Sequence, residues 1–181
     1  MDLVNGEHMA TVRTTGLDRL QQKLAKRFSD FALQKFFPRA HSTFSIKIKG
    51  IDNLLLKHEM YADCTYEYAD TYPRDFLIRI DNTLNPEMFI KTLAHEITHV
   101  KQWGKSEMKT YERNYKITRW HKDKINHEQL LYYDMPWEIE AHGREFGLYA
   151  QFVEMNEDMR EIIDGTATDY KLQRHAQMVL F

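Results

Sequence analysis

A chain of 181 residues that is 43% hydrophobic and 13% aromatic can bury a full core, and one domain is expected. Its net charge of −2 exerts no global pull toward nucleic acid or membrane, and its single Cys64 excludes both an internal disulfide and a thiolate zinc finger. No apolar run of about eighteen residues and no signal-like start occur, so a cytoplasmic protein (host cytoplasm if virus-encoded) with no membrane partner is expected.

Residues 1–15 are polar and aperiodic and read as a mobile N-terminal arm ahead of a single domain at 16–181. Leu17, Leu20, Leu24, Phe28 and Phe31 recur at steps of three and four, which predicts a helix ending near Pro38 and covering one face of a sheet. Phe44, Ile46 and Ile48 then alternate with Ser45, Lys47 and Lys49. A second alternation runs from Met60 to Tyr68, and a turn through Asp70 to Arg74 leads to Phe76, Ile78 and Ile80. Half-buried strands of this kind predict a small antiparallel sheet.

Next comes His95-Glu96-Ile97-Thr98-His99. Histidines four apart on a helix aim both imidazoles at one point, where a metal can sit. Glu96 lies on the adjoining edge, within reach of a water at that metal. Phe89, Ile90, Leu93, Ala94, Ile97 and Val100 fill a neighbouring arc, so the helix is buried on one side with its histidines facing a cleft. Asn85 as N-cap and Pro86 at the first position start it; it runs to about Trp103, and Gly104 closes it.

Residues 101–133 form an excursion before the next helix. From Lys101 to His127 it carries eight Lys or Arg against three acidic residues and interleaves Tyr111, Tyr115 and Trp120. Such a mixture can line a nucleic-acid groove or a cleft for acidic peptide, or be a solvated hairpin. His121 and His127 lack helical spacing from a partner and read as loop histidines, and Cys64 reads as a small core residue. Tyr132, Tyr133 and Tyr149 are near enough to donate to a developing oxyanion, with none singled out.

Asp134 as a cap and Pro136 open a second helix, periodic to about Met155. Catalytic zinc takes three protein ligands and keeps a fourth position open, so a third ligand is needed here. Glu140 shares an arc with Arg144, Gly147, Gln151 and Glu154, a solvated face with an i,i+4 ion pair. Glu138 shares its arc with His142, Glu145 and Tyr149, flanked by Ile139, Ala141, Phe146, Leu148, Ala150 and Phe152. A carboxylate among core residues needs a partner, and a metal ion suits it; Glu138 is the third ligand on this reading. Glu145, one turn further along, can either orient His95 or His99 by accepting a ring N–H or cap a buried polar cluster.

His95-Glu96-Ile97-Thr98-His99 followed by Glu138-Ile139-Glu140-Ala141-His142 resembles the gluzincin pattern, in which a metal helix precedes a helix bearing a glutamate ligand. The resemblance implies a zincin-like α+β fold in which a small antiparallel sheet packs on the metal helix. It implies one zinc ion per chain on His95, His99 and Glu138, Glu96 as general base and His142 as a supporting group. The order of elements also looks like small SprT-like zincins and phage-borne minimal proteases, although SprT-like proteins use a histidine as third ligand. The expected activity is zinc-dependent hydrolysis of peptide bonds in a protein or peptide substrate, with a strand edge above the metal helix pairing with the substrate. Two alternatives come from other classes: a catalytically idle zinc-bound accessory protein, and a nucleic-acid-associated protein using the basic excursion.

Overall fold

The computed structural model describes residues 9–67, 71–111 and 114–165. Residues 1–8 of the expected arm, Tyr68 and Asp70 of the second strand and its turn, and Arg113 of the excursion lie outside the described residues.

The molecule is mixed α+β. Strand β1 (Thr11–Thr15) is followed by helix α1 (Arg19–Phe36), strand β2 (Ser45–Ile51), the short helix α2 (Leu54–His58), and strands β3 (Ala62–Tyr66) and β4 (Asp75–Asp81). The sheet order is β1-β2-β4-β3; β1–β2 and β2–β4 are parallel, and only β3–β4 is antiparallel. This corrects two expectations. Residues 11–15 are an edge strand and not part of an arm, and the sheet is mixed.

The physical reason lies in how the sheet is covered. Parallel sheets are usually buried on both faces and read as continuous apolar runs. Here the register stacks Ile46 beside Phe76 and Ile48 beside Ile78 on one buried face. Lys47, Lys49 and Arg79 alternate onto the other, where Lys47 pairs with Glu67 and Arg79 with Asp63. The one-sided alternation typical of antiparallel strands thus arises in a parallel trio. The crossover through α1 makes β2 parallel to β1, and the connection through α2 and β3 returns β4 parallel to β2. β1 escapes detection because it presents only one apolar side chain, Val12.

Helix α1 starts at a capping box: the Asp18 carboxylate accepts from Gln21 N at 2.8 Å, and Gln21 Oε1 accepts from Asp18 N at 3.2 Å. The turn ahead of it needs two glycines. Gly16 has φ +67°, and a Cβ on Gly50 would lie 2.1 Å from Gly16 O, so the turn crosses β2 at backbone contact.

Helix α3 (Pro86–Gly104) follows, with Asn85 Oδ1 accepting from Met88 N at 2.9 Å and Pro86 in the first turn. It packs against α1, against the sheet and against α4 (Pro136–Met155). Buried on nearly every side, it is the axis of the molecule. Between α3 and α4 the chain forms a second antiparallel sheet, β5 (Met108–Tyr111), β6 (Asn114–Trp120) and β7 (Asp123–Asn126).

Helix α4 departs from expectation at its start and in its phase. Asp134 belongs to a short 3-10 turn, and Met135 precedes the helix with no side-chain cap. The buried line is Trp137, Glu138, Ala141, Leu148 and Phe152. Ile139 and Phe146, expected to flank it in the core, are 57% and 68% exposed. Apolar residues surround this helix, so periodicity alone did not decide which of them α3 would cover. Residues 157–165 are helical and add Met159 and Ile163 to the core.

Candidate metal centre

Helices α3 and α4 bring His95, His99 and Glu138 together, with one ligand-type atom from each lying within 4.8 Å of the others. His95 Nε2 lies 3.0 Å from His99 Nε2 and 3.2 Å from Glu138 Oε2, and His99 Nε2 lies 3.6 Å from Glu138 Oε1. All three residues are buried, each about 7% exposed. Glu138 Oε2 completes no hydrogen bond despite its closeness to His95, which leaves a buried carboxylate oxygen unsatisfied beside the imidazole pair. That donor set, two imidazoles and one carboxylate with an oxygen to spare, could hold a divalent metal ion.

Each ring is held from its far side. Glu145 Oε1 lies 2.8 Å from His95 Nδ1 and 2.6 Å from His142 Nδ1, and the His142 ring packs edge-on against His95 at 4.5 Å. His99 Nδ1 lies 2.7 Å from Gln102 Oε1. Gln102 carried no signal in the sequence, being one glutamine on a helix. The HxxQ spacing placing it a turn below His99 is visible only afterwards.

The chain's own charges shape the site. Burial alone would lower the His95 imidazole, but Glu138 and Glu145 outweigh it and raise it to about 9. Burial likewise opposes ionisation of Glu138, yet His95, His99 and the Tyr132 hydroxyl hold it well below the ordinary carboxylate range. Glu96 is 5% exposed, and burial pushes it up to about 7 against the pull of the two histidines. Tyr132 is raised by burial and by donating its hydroxyl to Glu138.

A cleft of about 910 Å³ passes over these groups. One wall is β3, the sheet's outer strand, with Ala62, Asp63 and Cys64; the other includes Met108, Thr110 and Thr118 of the second sheet. Tyr132 and Tyr133 also line it, whereas Tyr149 packs near the core. His127 borders the cleft with Nδ1 3.3 Å from Thr118 Oγ1, and His121 is exposed in the β6–β7 turn. Cys64 is free and buried.

Glu140 is not the simple surface residue of the sequence reading. Besides Arg144 Nε at 2.8 Å it accepts from Lys101 Nζ at 2.6 Å and Gln102 Nε2 at 3.2 Å, and Lys101 is only 7% exposed. It is a tie between α3 and α4. The basic excursion forms a three-stranded antiparallel sheet rather than a lone hairpin. Its sheet turns Met108 and Thr118 toward the cleft, while cross-strand register aligns Lys109, Arg119 and Lys124 on the opposite face. Several cations are engaged internally: Lys101 with Glu107 and Glu140, Lys116 with Glu128, and Arg119 with Ser106 and the His121 carbonyl.

Among the described residues no helix is long and apolar enough to cross a membrane. No known family model matches the chain, and no curated protein or solved structure is significantly similar to it.

Proposed function

We propose that the protein is a zinc-dependent peptidase of the gluzincin kind, with His95, His99 and Glu138 holding the ion. The observation that carries this reading is the convergence of two buried imidazoles and a buried carboxylate with one oxygen unsatisfied, in a cleft that also holds the Glu96 carboxylate. When bound, zinc supplies Lewis acidity toward a carbonyl and lowers the pKa of water toward neutrality. Glu96 makes no side-chain hydrogen bond among the described residues, so its carboxylate is free to take a proton from the attacking water and pass it to the leaving amine. Strand β3 is the outer strand of its sheet among the described residues and lies along the cleft, where an extended polypeptide could add to it by main-chain pairing.

The test is metal content together with turnover of an unstructured protein such as casein. One zinc per chain is expected, with cleavage abolished by a chelator and restored by zinc. Glu96→Gln should retain zinc and lose about 10²- to 10⁴-fold in turnover. Full zinc without cleavage of any peptide in a diverse library would instead identify an idle metal-bound protein.

A second reading is favoured by one observation. Lys109, Arg119 and Lys124 stand side by side across three strands, an arrangement that repels itself and suits a phosphate backbone. Salt-dependent DNA binding lost on the double replacement Lys109→Glu, Lys124→Glu would support it; unchanged affinity would remove it.

A further inference from the structure

We propose that Gln102 is a positioning residue for the metal centre, setting the tautomer of His99 and tying that ring to the helix that carries Glu138. The inference rests on the metal reading of the site, but not on the reaction. Gln102 is 0% exposed, so its amide bonds only to protein groups. Its Nε2 lies 2.8 Å from the Trp137 carbonyl oxygen and 3.2 Å from Glu140 Oε2. A carbonyl oxygen only accepts, so the atom facing Trp137 is the NH2 group and the amide cannot be turned round. Gln102 Oε1 is therefore the atom 2.7 Å from His99 Nδ1, and it too can only accept. His99 must then carry its proton on Nδ1 and present the Nε2 lone pair to the point shared with His95 and Glu138.

The same amide couples two helices. Trp137 immediately precedes Glu138, so the hydrogen bond that fixes the amide also fixes the backbone beside the third ligand. Glu140, the second acceptor, is itself held by Lys101 and Arg144. A glutamine at this position thus orients one ligand on α3 and sets the register of another on α4.

The test needs no substrate. Long-range ¹⁵N–¹H correlation spectra of the zinc-free wild-type protein report the tautomer of His99 directly, and the Nδ1–H form is expected. Zinc affinity by chelator competition should fall roughly 10- to 100-fold in Gln102→Met, which has the shape but neither the acceptor nor the donor. Gln102→Glu restores the acceptor and should bind zinc more tightly than Gln102→Met, with His99 still in the Nδ1–H form. An Nε2–H tautomer in the wild type would overturn the proposal. So would wild-type zinc affinity in Gln102→Met, or a Gln102→Glu variant no better than Gln102→Met. Because the wild-type spectrum stands by itself, the proposal is decided even if a variant fails to fold, and failure to cleave peptides leaves it untouched.

Discussion

The two glutamates of α4 differ in what each would leave behind. Glu138 has both oxygens turned toward the imidazoles, whereas Glu140 satisfies a buried ammonium and a buried amide. Removing Glu140 strands the Gln102 N–H and leaves Lys101 with Glu107 alone. Its loss therefore belongs with buried partners and not with exposed helix pairs. Glu140→Ala is expected to cost about 1–3 kcal/mol in denaturant unfolding, well above the few tenths suggested by its i,i+4 pairing with Arg144. Glu138→Ala should instead act on the metal, weakening zinc by more than the roughly 10- to 100-fold loss caused by removing an orienting partner. Chelator competition and urea titration of both variants separate the roles; zinc lost in Glu140→Ala but kept in Glu138→Ala would reverse them.

Among the elements, the end of β4 is held by one buried carboxylate. Asp81, 1% exposed, accepts from Leu55 N at 2.9 Å, Thr83 N at 2.8 Å and Thr83 Oγ1 at 2.6 Å. It anchors α2 and the turn leading toward α3. Burial opposes its ionisation, but these donors outweigh burial and leave it below the ordinary range. A carboxyl depressed in the folded state contributes stability above its unfolded pKa of about 3.9 and loses it as pH falls through the lower folded value. Asp81→Asn should therefore be less stable than wild type at pH 7, with the gap narrowing below about pH 4. A constant gap across that range, read by urea unfolding, would mean that its charge contributes nothing.

Across the whole molecule, the helix that carries Glu138 is fastened by packing far from the candidate metal centre. Phe152 near the end of α4 meets Phe28 edge-on at 5.2 Å and Phe31 at 5.6 Å, fastening α4 to α1. Phe152→Ala should cost about 3–5 kcal/mol. If zinc binds only the folded state, at 100 Kd it should restore about 2.7 kcal/mol of that stability. Thermal unfolding of wild type and Phe152→Ala, with and without zinc, measures both effects; a zinc-independent Tm in both proteins would show that the ion does not bridge the helices.

Short-range pattern determined much of this protein. The capped start of α3, its buried arc and the i,i+4 histidines are local: a helix of known pitch places them whatever surrounds it. The mixed sheet was not local, because an alternating strand reads alike in parallel and antiparallel pairs, and only the connections between the strands decide. Nor was the phase of α4. Ile139 and Phe146 are as apolar as Leu148 and Phe152, and contact with α3 and α1 chose between them. The roles of Gln102 and Glu140 were equally hidden, since a buried hydrogen bond depends on a partner 35 or 38 residues away. Side-chain spacing along one helix was sufficient to bring His95, His99 and Glu96 to one edge; the surroundings of Glu138, and the groups that hold the rings in place, required two helices to meet.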